Sequence, residues 1–249
     1  MIPSVAVLIP WAGQCPHRTA ALSHVRTWYQ TNFPDWQICI CEAAPGDSWC
    51  KADAVRSALR PTGAYIFGIA DADCLAPKVG EAVDAVRQGS AWAMPHYTVH
   101  RLSASATRLV IEDGADPDEL PRTTGYYSQM PYAGYPGGGM AVVSRDTYAS
   151  APLDPRFLGW GQEDESWAIA LKCLFGAPWR PRHGPMWHLW HPPQRRMTRS
   201  VGSHASRELY TTYKRVVAER GMERHLAVPR SFIEQALAEG KKAWAGVRA

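Results

Sequence analysis

Two aspartates directly follow an apolar segment near residue 70. Asp71 and Asp73 flank Ala72, immediately after Tyr65–Ala70, which has the composition of a buried strand. Alternation along an extended chain puts both carboxylates on the same side, at the carboxyl end of that strand. Carboxylate oxygens bind hard divalent cations, and ligands of α/β sheets bind at the carboxyl ends of strands. The pair predicts a site for a cation and a diphosphate, although a D-x-D pattern alone also occurs by chance.

Three consecutive acids, Glu163–Glu165, follow the turn formed by Trp160–Gln162 and begin an apolar segment with helical spacing. Acids in a first helical turn are favourable through the helix dipole, and that is the ordinary explanation of such a triplet. The functional interpretation is a carboxylate in a cleft beside Trp160. Partial burial would raise its pKa, so that it could act as a general base toward a hydroxyl.

Two histidines with two residues between them lie in the Trp-rich segment Met186–Pro192. In an extended or turn conformation, the imidazoles of His188 and His191 can both face one ion, and the tryptophans would keep water away from it. A single histidine is more often a core or surface residue. The pair, taken together with the aspartates, predicts metal ligands.

A glycine- and tyrosine-rich segment, Pro131–Gly139, precedes an apolar strand-like run. Glycines allow a backbone to pass close to a ligand, and the rings of Tyr132 and Tyr135 offer stacking faces with hydroxyl groups. The alternative is an ordinary flexible surface loop.

Strand-like and helix-like segments alternate along the chain, which predicts an α/β fold with a mostly parallel sheet covered by helices on both faces. The predicted strands are Ser4–Ile9, Trp36–Cys41, Tyr65–Ala70, Ala91–Pro95 and Met140–Ser144. The predicted helices are His17–Thr31, Ala52–Leu59, Pro77–Gln88 and Glu163–Phe175, with two amphipathic helices near Ser203–Gly221 and Ser231–Trp244. Between these elements, Glu112–Gly139 has no clear periodicity and is predicted to be a long loop, either a lid or a linker.

The composition fits one large globular domain, since the 249 residues are 46% hydrophobic and 20% charged. The net charge of +4 predicts no uniform surface for polyanions, so we expect no nucleic-acid partner. From Arg195 onward there are 12 basic and 5 acidic residues, which makes this segment a candidate for peripheral contact with a membrane or a phosphate group. The six cysteines include no C-x-x-C pair, so they imply neither a zinc ribbon nor a disulfide framework. No apolar run is long enough for a signal peptide or a membrane span, so we expect a cytoplasmic protein.

The order of these motifs over residues 5–195 resembles glycosyltransferases of the GT-A type, in particular the β-1,4-galactosyltransferase family. The layout is also similar to that of polypeptide N-acetylgalactosaminyltransferases. The segments that carry the resemblance are Val7–Trp11 with Arg18 beyond it, Cys41–Glu42 followed by Lys51–Ala52, Tyr65–Asp73, Pro131–Gly138, Phe157–Glu165 and His188–His191. The chain departs from the family pattern where Gln162 replaces a glycine, Glu165 an aspartate and His188 a methionine.

The resemblance implies a GT-A, Rossmann-like catalytic domain over residues 1–200. Residues 201–249 would form a helical extension packed on the same domain. Ala, Arg and Trp usage suggests a bacterial or phage source.

The resemblance also implies roles for individual residues. The expected ligands of a Mn²⁺ or Mg²⁺ ion are Asp73, His191, His188 and Asp71. The donor, a uridine diphosphate (UDP) sugar, would contact Pro10, Trp11, Arg18, Glu42, Lys51, Asp71, Ala72, Tyr135, Gly138 and Trp160. Asp164 would be the catalytic base with Glu163 beside it, and the acceptor would contact Tyr132, Trp160 and Glu163.

The implied reaction is metal-dependent transfer of a hexose or N-acetylhexosamine from a UDP-sugar to a hydroxyl of a glycan, glycolipid or protein, with inversion. Three alternatives stay open from the sequence. The first is a retaining enzyme like the N-acetylgalactosaminyltransferases. The second is a nucleotidyltransferase, for which Gly13–His17 supplies only a poor phosphate loop. The third is a non-catalytic module that binds nucleotide sugars or glycans.

Overall fold

The apolar runs of the sequence form adjacent strands of one central sheet. The computed structural model describes residues 4–13, 15–42, 49–120, 127–129, 138–159, 161–192, 207–214, 234–235, 237–239 and 242. The strands are β1 (Val5–Trp11), β2 (Gln37–Glu42), β3 (Ile66–Ala70), β4 (Cys74–Leu75), β5 (Trp92–Ala93), β6 (Thr98–Arg101), β7 (Tyr127–Gln129), β8 (Met140–Ser144) and β9 (Pro185–His188). The helices are α1 (Pro16–Asn32), α2 (Lys51–Thr62), α3 (Val79–Arg87), α4 (Ala104–Glu112), α5 (Arg145–Ser150) and α6 (Glu163–Phe175).

The central sheet has the strand order β2-β1-β3-β8-β5 and is mostly parallel. β1 pairs in parallel with both β2 and β3, whereas β8 runs antiparallel to β3 and to β5. Only β8 is therefore reversed within this sheet. This arrangement confirms the predicted α/β class with a mostly parallel central sheet.

Helices cover both faces of the sheet, as the continuous apolar character of β1 and β3 predicts. Ala6 and Leu8 of β1 pack in a cluster with residues of α2 and α6. The alternate residues Val5, Val7 and Ile9 pack on the opposite face with residues of α1 and α3. Because successive side chains of a strand point to opposite faces, a strand buried on both sides must be apolar at every position.

Helix α2 is longer than the sequence predicts. The sequence predicts an end at Leu59, but the helix continues through Pro61 to Thr62 and is capped by Gly63, whose φ is 61°. Proline has a fixed φ that is compatible with a helix, so in the last turn it removes a hydrogen bond without ending the helix. The glycine ends it, because the left-handed conformation costs glycine little.

A second, smaller sheet was not predicted. Its strand order is β4-β9-β6-β7, with β6 parallel to β9 and the other pairs antiparallel. Strand β7 lies inside the segment predicted to be one long loop, and that prediction is wrong for residues 127–129. Strands of two to four residues are too short to show a period, and α4 between them was missed as well.

The described part of the C-terminal segment packs on the α/β body. Residues 207–214 are helical, and the Tyr213 hydroxyl donates a 2.9 Å hydrogen bond to the buried carboxylate of Asp154. Arg156 bridges Asp154 at 2.6 Å and Glu239 at 2.9 Å. Most of the remainder of the two predicted terminal helices lies outside the described residues, and the division at residue 200 stays a prediction. Of the helices described, none is both long and apolar enough to cross a bilayer.

Tyr213→Phe is expected to loosen this contact. A hydrogen bond to a charged group contributes about 1.5–3 kcal/mol, and Asp154 is buried, so the variant should lose stability in that range. Urea unfolding measures the difference, with Tyr97→Phe as the control because Tyr97 is 37% exposed. Equal midpoints for the two variants would contradict a structural role of this hydroxyl.

Candidate active site

A cleft of about 510 Å³ opens where β1 and β3 end, and it collects most of the predicted site residues. Those that line it are Pro10, Trp11, Arg18, Lys51, Asp71, Ala72, Asp73, Gly138, Glu163, Asp164, His188 and His191. Among the predicted residues that the structure describes, only Glu42 does not line the cleft. It lies at the end of β2, in register with Trp11. Trp160, Tyr132 and Tyr135 lie outside the described residues.

The two aspartates of the D-x-D segment have different partners. The Cys74 amide donates to the Asp71 carbonyl at 3.2 Å, so the chain turns here instead of remaining extended. The Asp71 carboxylate accepts from Lys51 at 3.0 Å and from the Gly139 amide at 2.9 Å. The expectation of an extended chain through Asp73 is therefore wrong, although both aspartates line the same cleft.

Gly139 is the position at which the glycine-rich segment meets the site. Its φ is +83°, and a Cβ at this position would collide with the side chain of Met186. Its backbone exchanges two hydrogen bonds with Asp71, one from the Asp71 amide at 2.8 Å and one to the Asp71 carboxylate. Both the conformation and the close approach require glycine here.

Asp73 and two histidines form a candidate metal centre. The Asp73 side chain is buried, with His188 Nε2 at 3.8 Å from Oδ1 and His191 Nε2 at 3.2 Å from Oδ2. The backbone fixes this geometry, because β4 pairs with β9 and the Leu189 amide donates to the Asp73 carbonyl at 2.8 Å. The structure thus brings together three of the four predicted metal ligands, while Asp71 pairs with Lys51 instead.

The electrostatics of this centre suit a divalent cation. Burial alone raises the pKa of Asp73, but the hydrogen bond from His191 and the charge of Arg18 oppose it, and the pKa falls to about 2. Burial and the nearby Arg101 lower the pKa of His188. A charged carboxylate and a neutral imidazole are the protonation states that bind metals, so the donor set fits the predicted ion.

Arg18 extends the positive character of this corner of the cleft. Its guanidinium nitrogen lies 3.3 Å from His191 Nε2. A guanidinium beside a bound cation is well placed to bind phosphate oxygens, because its planar N–H groups match them in pairs.

Three partly exposed carboxylates surround the buried ammonium of Lys51. Its ammonium lies 2.7 Å from Asp164 Oδ1 and 3.0 Å from Asp71 Oδ1. Burial lowers the pKa of Lys51, yet Asp164, Asp71 and Glu163 raise it well above its ordinary value, so the lysine is charged. Glu163 Oε2 is buried and has no hydrogen-bond partner among the residues described.

The cluster carries more negative than positive charge, and this shifts its acids. Burial, followed by the charges of Glu163 and Asp71, raises the pKa of Asp164 against the opposing effect of Lys51. Burial and the charge of Asp71 likewise raise the pKa of Glu163. A carboxylate with a raised pKa in a cleft has the property that a general base needs.

Lys51→Met is expected to raise the pKa of Asp164 further, because it removes the cation that stabilises the charged carboxylate. A base works only when deprotonated, so the acidic limb of the pH–rate profile should move to higher pH. Lys51→Arg keeps the charge and is the matched control, whose limb should stay near that of the wild type. Identical limbs in the methionine and arginine variants would show that Lys51 does not tune this base.

Gln162 precedes α6 in a conformation that L-amino acids rarely adopt. It has φ 75° and ψ −12°, and it is the one residue other than glycine with a positive φ among those described. Its Oε1 is buried without a hydrogen-bond partner within the described part of the chain. A side chain in the left-handed region costs about 1 kcal/mol or more, which explains why glycine suits this position in the family that the motif resembles.

Gln162→Gly is therefore expected to stabilise the protein by about 1 kcal/mol. Thermal unfolding measures the gain, with Gln88→Gly as the control at a helix end where φ is −84°. A lower melting temperature for the Gln162 variant would mean that this side chain makes a contact worth more than the strain.

The residues that line the cleft without a role assigned from the sequence include Trp49, Arg101, Met186 and Trp190. Met186 and Trp190 lie in the same Trp-rich segment as the predicted histidines, so that motif itself could have indicated them. Arg101 ends a four-residue strand and stands in register with His188. No spacing in the sequence indicates that pairing.

In sequence, no family model and no curated protein matches this chain. Several solved structures are similar to it at low identity. A mutant of Drosophila β-1,4-galactosyltransferase 7, crystallised with manganese, UDP-Gal and xylobiose, is 13% identical over 80% of each chain, with a TM-score of 0.46. Glucosyl-3-phosphoglycerate synthase from Mycobacterium tuberculosis, in complex with Mn²⁺, UDP-glucose and phosphoglyceric acid, is 14% identical over 87% of this chain and 79% of that chain, with a TM-score of 0.49. Mannosyl-3-phosphoglycerate synthase from Rubrobacter xylanophilus is 15% identical over 90% of this chain and 77% of that chain, with a TM-score of 0.48. All three likenesses are distant, and none assigns a role to a residue of this chain.

Proposed function

We propose that this protein is a metal-dependent glycosyltransferase of the GT-A type, which moves a hexose or N-acetylhexosamine from a UDP-sugar to an acceptor hydroxyl. The observation that carries the proposal is that one cleft is lined both by possible metal ligands and by a possible general base. Asp73 with His188 and His191 offers cation ligands, and Asp164 offers a carboxylate with a raised pKa as the base. Such a pairing is what the departure of a diphosphate and the activation of a hydroxyl require together.

The cation would be Mn²⁺ or Mg²⁺, held by Asp73, His188 and His191. When bound, it supplies positive charge that stabilises the diphosphate as a leaving group. Arg18 binds a phosphate oxygen of the donor from beside His191. Pro10, Trp11, Ala72 and Gly138 line the remainder of the donor side of the cleft.

Asp164 accepts the proton of the acceptor hydroxyl as its oxygen attacks the anomeric carbon. The bond between that carbon and the diphosphate oxygen breaks at the same time, and attack opposite the leaving group inverts the configuration. The raised pKa of Asp164 favours this proton transfer. Within the described part of the chain, Glu163 Oε2 has no hydrogen-bond partner, and at the cleft it accepts a hydrogen bond from a sugar hydroxyl.

The acceptor side includes Tyr132 and Trp160, which stack on sugar rings, while Tyr135 borders the donor sugar and Glu42 the nucleotide. These four roles rest on the sequence motifs alone. The acceptor is a glycan, a glycolipid or a protein.

Calorimetric titration tests the proposal. UDP, GDP, CDP and several UDP-sugars are titrated with and without Mn²⁺, followed by an assay of UDP release from the best donor in the presence of candidate acceptors. We expect selective binding of UDP that requires the metal. Absence of nucleotide binding under every metal would remove the transferase function and point to a glycan-binding module.

A further inference from the structure

A buried thiol lies against the candidate metal centre and has no part in the function proposed above. Cys74 follows Asp73 directly, its side chain is fully buried, and its Sγ lies 3.5 Å from Asp73 Oδ1. A carboxylate oxygen of Asp73, the Cys74 sulfur and an imidazole nitrogen of His188 all lie within 4.8 Å of one another. His191 approaches the other carboxylate oxygen, Oδ2.

The separations of these atoms fit one ion. Ligand atoms at about 2.0–2.3 Å from a tetrahedral metal are about 3.3–3.7 Å apart. The distance from Sγ to Oδ1 is 3.5 Å, and that from His188 Nε2 to Oδ1 is 3.8 Å. The third separation, from Sγ to the imidazole nitrogen, is within 4.8 Å, so movement of the His188 side chain would bring all three donors to one centre.

The backbone holds the donors in this arrangement from two sides. Cys74 and His188 are direct partners in the antiparallel β4–β9 pair, so their side chains emerge on the same side of the small sheet. The Cys74 amide donates to Asp71, and the Leu189 amide donates to Asp73. Asp73 and His188 line the cleft, whereas Cys74 does not. Its sulfur therefore approaches the centre from the protein interior, on the side away from the cleft.

We propose that Cys74 is a ligand of the cation, together with Asp73 and His188. The fourth position then faces the cleft, where His191 or a phosphate oxygen enters, and three protein ligands with one open position are typical of catalytic metal sites. The thiol loses its proton to solvent as the metal–sulfur bond forms. A thiolate donor raises the affinity of the site for Co²⁺ and Zn²⁺ most. Mn²⁺ follows them, and Mg²⁺ binds most weakly.

This inference rests on the metal centre of the proposed function, but its test does not depend on turnover. The protein is titrated with Co²⁺ while near-ultraviolet absorption is recorded. We expect a thiolate-to-cobalt charge-transfer band that saturates at one ion per chain. The band should vanish in Cys74→Ala, with Co²⁺ affinity lowered about tenfold or more, and should persist in Cys41→Ala, which removes another buried thiol.

Zinc-edge X-ray absorption of the unmodified protein keeps the proposal testable if Cys74→Ala fails to fold. One sulfur at about 2.3 Å from the zinc is the expected result. Cobalt binding without the band, a band that survives in Cys74→Ala, or a zinc shell without sulfur would each overturn the proposal. Each of those outcomes would still allow a metal centre formed by Asp73, His188 and His191. A charge-transfer band in a protein that does not bind UDP would support the thiolate ligand but contradict the transferase function.

Discussion

Asp164→Asn is expected to lower kcat for glycosyl transfer by about 10²–10⁴-fold while UDP affinity stays nearly unchanged, because general-base catalysis contributes in that range and acts in the transition state. Asparagine has the shape of aspartate but cannot accept the proton. The measurement is UDP release with saturating donor and acceptor, alongside calorimetry of UDP binding. Glu165→Gln is the matched control, since Glu165 lies in the same helical turn but does not line the cleft.

The same variant separates catalysis from folding. Asp164→Asn also removes one of the two carboxylates that pair with the buried Lys51 ammonium, so folding has to be verified separately from turnover. We expect a cooperative thermal transition that leaves the variant folded at the assay temperature. Transfer at the wild-type rate in a folded Asp164→Asn protein would remove this residue from the mechanism.

Asp73→Ala is expected to abolish the dependence of UDP binding on Mn²⁺. The carboxylate is the central donor of the metal site, since both His188 and His191 face it, and loss of even an outer partner of a metal ligand costs about 10–100-fold in affinity. UDP titrations with and without the metal should therefore give the same weak affinity in this variant. Asp84→Ala is the control, because Asp84 pairs with Arg87 on the exposed side of α3.

The metal-dependent increase in UDP affinity should persist in the Asp84 variant. If it also persists in Asp73→Ala, the ion binds elsewhere in the protein. The D-x-D assignment would then have to be withdrawn, although the role of Asp164 could still hold.

The central sheet could be predicted because its strands are long enough for their burial to produce a recognisable run of apolar residues. β1 and β3 are apolar at every position, and that pattern is specific for a strand covered on both faces. The small sheet could not be predicted, since β4 has two residues and its partner β9 is distant in the sequence. A pairing of that kind depends on how the whole chain folds and leaves no local pattern.

The sequence predicted which residues belong to the site, but not which of their side chains contact one another. Asp73 and the histidines were placed together correctly, since ligand residues at strand ends tend to meet. Lys51 was expected at the donor, whereas the structure pairs it with Asp71 and Asp164 at 3.0 and 2.7 Å. Cys74 had no motif to indicate it, because a thiol next to an aspartate looks like any other small core residue.

The pairing of β4 with β9 also has a consequence for how the protein is made. Cys74 and His188 are more than a hundred residues apart in the chain, and closing so long a segment costs entropy that local structure cannot offset. A nascent chain that has emerged only as far as β8 carries Asp73 without either histidine. The ion therefore cannot nucleate folding during synthesis, and its capture is restricted to chains whose α/β body is already complete.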